Sequence, residues 1–189
     1  MRIVAGKFKG RRLTEPKSDA IRPTSDRARE TMFNILQHGC NVSFEGARIL
    51  DLFAGTGALG LEALSRGAAF CLFVEDAAEA RALIRTNVET FGQMGHTKIY
   101  RRNATSLGAS EGLGTFDLAL LDPPYDKGLG EAALQALAQG GWLRADAIVV
   151  LEERRGNTIA TPAEFETLDQ RELADTQMLF LQHTGSNAG

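Results

Sequence analysis

From Ala47 onward the chain is punctuated by apolar runs of strand length, at 47–53, 70–74, 97–100, 116–121 and 147–151. Most of the intervals between them carry helical spacing instead. One such stretch is 58–66. A second is 77–91, with Ala80, Leu83, Ile84, Val88 and Phe91 on one side, and a third is 130–138. Nearly all-apolar strands alternating with helices predict an α/β fold, a doubly wound and mostly parallel sheet covered on both faces. After Gly156 the rhythm changes. The runs 165–168 and 178–181, joined by a polar stretch, predict an antiparallel pair that finishes the sheet.

Ahead of the sheet, residues 1–13 read as a β-hairpin in which 2–5 and 7–13 flank Gly6 and Gly10 interrupts the second run. That second run is too polar for a core strand and predicts an edge or protruding ribbon. Residues 15–21 read as a loop. Thr24 and Ser25 then offer a hydroxyl cap before Asp26, opening a helix with Ala28, Met32, Ile35 and Leu36 on one face and Arg27, Arg29 and Asn34 on the other. The expected organisation is a basic hairpin and loop at 1–24, the sheet domain at 25–183 and a frayed tail at 184–189.

Composition narrows the class. With 189 residues and 43% apolar positions the chain has one domain's worth of core. Cys40 and Cys71 stand far apart with only three histidines beside them, which excludes a disulfide framework and predicts no metal site. No run approaches the ~18–20 apolar residues of a membrane span, and no apolar stretch follows the basic N-terminus as in a signal peptide. The expectation is a soluble, reduced, cytoplasmic monomer without a membrane partner.

The net charge of −3 argues against a nucleic-acid partner until its distribution is considered. Residues 1–29 hold nine basic residues against Glu15, Asp19 and Asp26, a local charge of +6, which leaves −9 for the remainder. A basic arm on an acidic body directs a polyanion to one surface; a merely solvated basic hairpin has the same composition.

Two motifs carry chemistry. In the first, 48–60, an apolar strand enters Asp51-Leu52-Phe53-Ala54-Gly55-Thr56-Gly57-Ala58-Leu59-Gly60 and then a helix. Gly55 and Gly57 let the backbone turn tightly beside a ligand, and Gly60 allows close helix–strand packing. The spacing fits dinucleotides and other adenosine cofactors alike. Glu75 ends the next strand, where a carboxylate takes both ribose hydroxyls or caps the helix starting near Ala77. Asp51 tips the balance, because a carboxylate repels pyrophosphate and welcomes a sulfonium, favouring S-adenosylmethionine over a nicotinamide cofactor.

The second motif is Asp122-Pro123-Pro124-Tyr125, at the end of the apolar run 116–121. Consecutive prolines force a rigid, extended exit from the sheet, aiming the Asp122 carboxylate and the Pro123 carbonyl in one direction. Both accept hydrogen bonds, and an exocyclic amine has two N–H groups to give. Tyr125 adds a flat face for a base, worth ~1–3 kcal/mol in comparable contacts. An aromatic amine is a poor nucleophile because its lone pair is delocalised. Two acceptors on its hydrogens favour pyramidal geometry and free that pair for in-line attack on a methyl group held ~3–3.5 Å away. The two motifs follow the first and fourth sheet strands, which doubly wound sheets commonly set side by side.

These residues, with Met1-Arg2-Ile3-Val4-Ala5-Gly6 followed by Gly10-Arg11, Arg22-Pro23-Thr24 followed by Asp26-Arg27, and the whole of 51–68, closely resemble the RsmD family. That family comprises bacterial small-subunit (16S) rRNA guanine-N2 methyltransferases of class I, and the resemblance covers 1–153. It implies a seven-stranded Rossmann-like sheet with an N-terminal hairpin extension. It further implies that Asp51, Phe53, Ala54, Gly55, Thr56, Gly57 and Glu75 hold S-adenosylmethionine. Asn103, with Ala104, would meet the adenine; many relatives have Asp at this position, and an amide accepts the same bond without charge. Asp122, Pro123, Pro124 and Tyr125 would hold the flipped guanine. Lys7, Lys9, Arg11, Arg12, Arg22, Thr24 and Arg27 would contact the 16S rRNA or the small-subunit particle. Arg22 could equally bind the cofactor carboxylate or pair with Asp26.

Competing readings are a DNA adenine-N6 or protein glutamine methyltransferase, a nicotinamide oxidoreductase, and an RNA assembly factor that binds the cofactor without turnover. A DNA enzyme usually needs a recognition domain, and only 36 residues follow Glu153. Only 129 residues follow Gly60, and Asp-Pro-Pro-Tyr has no purpose in an oxidoreductase.

Overall fold

The computed structural model describes residues 1–16 and 24–185. In chain order the elements are α1 (Asp26–Asn34), β1 (Arg48–Leu52), α2 (Ala58–Ser65), β2 (Phe70–Val74), α3 (Ala78–Thr90), β3 (Thr97–Tyr100), β4 (Phe116–Leu121), α4 (Leu129–Gly140), β5 (Leu143–Arg154), β6 (Phe165–Leu173) and β7 (Thr176–His183). The strands form one seven-stranded sheet in the order β3-β2-β1-β4-β5-β7-β6. The first five are parallel, and β7 runs antiparallel to both β5 and β6. This is the doubly wound α/β sheet expected from the sequence, reversing direction between β1 and β4.

Two cores follow from the two-residue period of each strand. Ile49, Phe73, Leu118 and Leu120 pack with Phe33, Leu61, Leu64, Ile84 and Val88 from α1, α2 and α3. Leu50, Leu52, Leu72, Val74, Ala119 and Leu121 face the other way, onto Ala133, Leu134 and Leu137 of α4. No full helix joins β3 to β4; a single 3₁₀ turn at Ala104–Ser106 takes its place. Trp142 seals that side. Its ring stacks on Phe116 at 6.2 Å and its Nε1 donates to the Gly108 carbonyl at 2.8 Å. β6 is an edge strand, largely exposed, and its charged side chains discourage pairing with another chain.

The N-terminal hairpin departs from the protruding ribbon expected of its polarity. It doubles back through a single antiparallel bridge, Arg2 to Arg12, around a 3₁₀ turn at Gly6–Phe8, and it lies docked on the body. The docking group is Glu62 of α2, which has no exposed surface. Its two oxygens accept from the backbone N–H groups of Val4 (2.8 Å) and Ala5 (3.0 Å). Ser65, one turn on, accepts from Phe8 N and donates to Ala5 O. A Cβ at Gly6 would lie 1.9 Å from the Ser65 carbonyl oxygen, so only glycine fits there. Ile3 and Leu13 are buried in consequence. The polarity of 7–13 predicts a solvent-facing ribbon; the hairpin docks instead because the buried Glu62 carboxylate satisfies two of its backbone donors.

α1 is capped by Ser25, whose hydroxyl accepts from Ala28 N. Arg29 belongs to its buried side and not, as its charge suggested, to the outer face. Its guanidinium donates to the carbonyls of Thr24 and Arg2 and to Asp26 Oδ1. Three polar acceptors converging on one guanidinium offset part of its desolvation, though its buried Nε has no hydrogen-bond partner among the described residues. Asp26 is the charge partner. Burial raises its pKa, but the Arg2 N–H and the Arg29 charge more than offset this, leaving it below the usual value.

Candidate active site

The carboxyl ends of β2, β1, β4 and β5 open into a cavity of about 630 Å³. Leu52 is in register with Val74 on one side and Leu121 on the other, and Leu121 with Leu151. The next residue on each strand therefore falls in one row, Glu75, Phe53, Asp122 and Glu152, and all four line the cavity.

On the β1 side the glycine turn is held by backbone bonds. Glu75 accepts from Gly55 N through Oε2 (2.9 Å) and from Ala77 N through Oε1 (2.8 Å), so it braces the turn and the start of α3 together. Asn87 of α3 donates to the Thr56 carbonyl at 2.9 Å. Asp51 accepts from Gly60 N, in the first turn of α2, at 2.9 Å. Gly57 sits at φ +79° and Phe53 at φ +57°. A left-handed phenylalanine carries strain of the kind that structures retain at ligand sites. Asp51 is buried, and that burial drives its pKa well above the ordinary value. The Gly60 N–H pulls it back down, while the neighbouring charges of Asp122 and Glu75 push it further up.

On the β4–β5 side the ties run between side chains. Thr24 donates its hydroxyl to Asp122 Oδ2 at 2.5 Å. Tyr125 donates to Glu152 Oε1 at 2.6 Å. Asp126, at φ +61°, pairs with Arg154 at 2.7 Å and accepts from Asn157 at 3.0 Å. Pro123 is buried and Pro124 exposed.

The cavity thus brings together Asp51, Phe53, Ala54, Gly55, Thr56, Glu75, Asp122, Pro123, Pro124, Tyr125 and Thr24, while Gly57 caps α2 just behind it. It does not bring in Asn103 or Ala104. Asn103 caps the 3₁₀ turn, accepting from the Thr105 N–H and hydroxyl, and Ala104 is buried against the α4 core. Lys7 and Arg11 of the basic arm stand apart from the cavity. Arg11 donates to Thr90 O at 2.6 Å and lies 4.5 Å from the Phe91 ring, and Lys7 reaches Gln93 at 3.4 Å. Both contacts lie at the far end of α3 from its cavity-lining Ala80. Lys9, Arg12 and Arg27 are exposed. Arg22 lies outside the described residues. The sequence reading missed Met1, Glu152, Arg154 and the β6–β7 turn at Leu173, Ala174, Asp175 and Thr176, all of which line the cavity. Glu152 had a signal, since it ends the apolar run 147–151 as Asp122 ends 116–121.

The lining chemistry suits a cationic ligand. Asp51, Glu75, Asp122, Asp126, Glu152 and Asp175 stand against Arg154, the one basic side chain among the described lining residues, which is itself paired with Asp126. Among the described residues no group of three or more His, Cys, Asp or Glu is placed to hold a metal ion, and no helix is long and apolar enough to cross a membrane.

The family described as Conserved hypothetical protein 95, the RsmD family, matches residues 1–182. The chain belongs to this family. It is 40% identical over 162 residues to Ribosomal RNA small subunit methyltransferase D of Escherichia coli strain K12, covering 85% of this chain and 78% of that one. The Haemophilus influenzae protein of the same name is 32% identical over 173 residues, covering 90% and 88%. Among solved structures, Escherichia coli yhhF superposes with a TM-score of 0.82 at 30% identity over 97% of each chain. Family, class I Rossmann-like fold and methyltransferase class all agree with the sequence reading.

Proposed function

We propose that the protein transfers a methyl group from S-adenosylmethionine to the exocyclic N2 amine of a guanine in small-subunit (16S) rRNA. The observation that carries this reading is a single cavity whose wall holds the Asp51–Gly55 turn and Glu75 on one side and Asp122-Pro123-Pro124-Tyr125 on the other.

When bound, S-adenosylmethionine supplies a methyl group on a cationic sulfonium. The acidic lining fits that charge and would repel a pyrophosphate. Glu75 would hold the ribose with the same carboxylate that braces Gly55 and Ala77, since each oxygen has capacity for a second donor.

On the base side, Asp122 and the Pro123 carbonyl accept the two N2 hydrogens. The Thr24 hydroxyl, donating to Asp122 Oδ2, fixes the rotamer of the carboxylate. Held between two acceptors, the nitrogen pyramidalises and points its lone pair at the methyl group, and this positioning replaces most of the entropy a free encounter would lose. The methylated nitrogen sheds one proton, for which Asp122 is the adjacent acceptor. Tyr125 offers its ring to the flipped base. Residues beyond β5 complete the sheet as β6 and β7, so among the described residues no separate DNA-recognition domain is built from them.

The reading is tested by radiolabelled methyl transfer to small-subunit particles. Wild type should label the RNA, and Asp122→Ala should fail to while still binding the cofactor. Equal labelling by both proteins would contradict it.

A further inference from the structure

Glu152 has no part in the chemistry above, yet it sits beside the residue that does. Leu121 pairs with Leu151 in the parallel β4–β5 ladder, so Asp122, the first residue past β4, and Glu152 of β5 each directly follow a paired residue. Both line the cavity, and Glu152 is 3% exposed. Its carboxylate takes the hydroxyl of Tyr125, the ring offered to the base, at 2.6 Å. A buried acid at a base-binding wall, oriented by the stacking residue itself, is a poor choice for stability alone, because its desolvation must be offset by a few hydrogen bonds.

We infer that Glu152 is the residue that selects guanine, accepting the N1–H next to the N2 amine that Asp122 holds. This inference rests on the proposed function and adds the basis of its selectivity. Guanine presents two neighbouring donors on its Watson–Crick edge, N1–H and the N2 amine. Two carboxylates side by side match that pair. Adenine presents an amine beside an N1 lone pair, which faces a carboxylate oxygen repulsively. A site built to hydrogen-bond an N–H rejects an analogue lacking it far more strongly than an apolar pocket rejects a change in size. Tyr125 then has two tasks, to stack on the base and to set the angle of the carboxylate.

2-Aminopurine probes this contact, since it keeps the N2 amine, carries a lone pair at N1 and lacks O6; the Glu152 variant separates the N1 effect from the O6 effect. Particles reconstituted with guanine or 2-aminopurine at the methylated position are compared by kcat/KM. Wild type should prefer guanine by about 100-fold or more. In Glu152→Gln the amide can donate to N1, and the preference should fall to within about tenfold, with 2-aminopurine gaining in absolute rate. Tyr125→Phe, which keeps the ring and removes its hydroxyl from Glu152 Oε1, should give an intermediate ratio. A preference unchanged in both variants overturns this inference and leaves the proposed function standing. If wild type methylates no guanine in the particle, the proposed function fails and takes this inference with it.

Discussion

The two sides of the cavity are built differently. Around the glycine turn the ties reach mostly backbone: Glu75 to Gly55 and Ala77, Asn87 to Thr56, Asp51 to Gly60, with the Thr56 hydroxyl to Met1 Sδ as a side-chain exception. Around Asp-Pro-Pro-Tyr the ties mostly join side chain to side chain: Thr24 to Asp122, Tyr125 to Glu152, Arg154 and Asn157 to Asp126, beside one backbone bond from Asp126 N to Glu153. The first side is part of the folded core, and altering it disturbs α2 and α3. On the second side, side-chain substitutions change hydrogen-bond partners while leaving most of the backbone bonding in place. In the proposed function the cofactor meets the backbone-tied wall, and selection among bases falls to the one tied through side chains.

That contrast breaks most easily at Asp122. Asp122→Ala should lower kcat by about 10²–10³-fold, the scale of losing one oriented hydrogen-bonding group at a reacting centre. Cofactor affinity measured by titration calorimetry should stay within about twofold. A parallel loss of cofactor binding would mean that the two sides are not separable.

The backbone-tied side should respond in stability. A Cβ at Gly60 would lie 2.4 Å from Phe73 Cε1 and 2.5 Å from Cys71 Sγ, both buried. Gly60→Ala should therefore cost about 1–3 kcal/mol in denaturant unfolding. Pro124→Ala, at an exposed position on the other side, should stay within about 0.5 kcal/mol.

Asp51 sharpens the comparison through pH. Its pKa is raised in the folded protein. Below the ordinary carboxylate range both folded and unfolded chains bind the proton, and there is no difference. Above that range the unfolded chain ionises first, so stability is lost as pH rises toward the folded value. Asp51→Asn removes this dependence. Its melting temperature should match wild type near pH 4 and exceed it near pH 8, while its cofactor affinity falls. Identical pH profiles would show that the buried acid carries no such penalty.

The smallest effect is expected in the arm. All four basic residues Lys7, Lys9, Arg11 and Arg12 are exposed, but Lys7 and Arg11 are also engaged with Gln93 and Thr90. Lys9→Ala and Arg12→Ala should each flatten the salt dependence of RNA binding by about 0.7 in log–log slope. Arg11→Ala should act chiefly on thermal stability.

The sheet was legible because its central strands are buried on both faces, so 70–74 appears as an unbroken apolar run and 116–121 as one interrupted only by Asp117, while the less buried 97–100 is marked by Ile99 and Tyr100; all three boundaries hold in the structure. β5 was half visible. Its ladder begins at Leu143, through the polar Arg144-Ala145-Asp146 that no apolar count would include. At the site, Asp122 and Glu75 stood out because each ends an apolar run beside a known turn. Glu152 ends one too, but its meaning depends on which strand lies next to β4, a fact of pairing and not of local pattern. Glu62 and Arg29 were unreadable for a related reason. A charged residue in a helix reads as surface, and only the docked N-terminal segment supplies the backbone partners that bury it.

The central claim, that the Asp122 carboxylate and the Pro123 carbonyl present an N2 amine to the methyl donor, is tested most directly by nucleoside mass spectrometry. RNA from small-subunit particles treated with the protein and S-adenosylmethionine is digested and its methylated nucleoside identified. The account predicts N2-methylguanosine at a single position, absent after treatment with Asp122→Ala. A methyl group on any other atom, or N2-methylguanosine formed equally well by the variant, would contradict it.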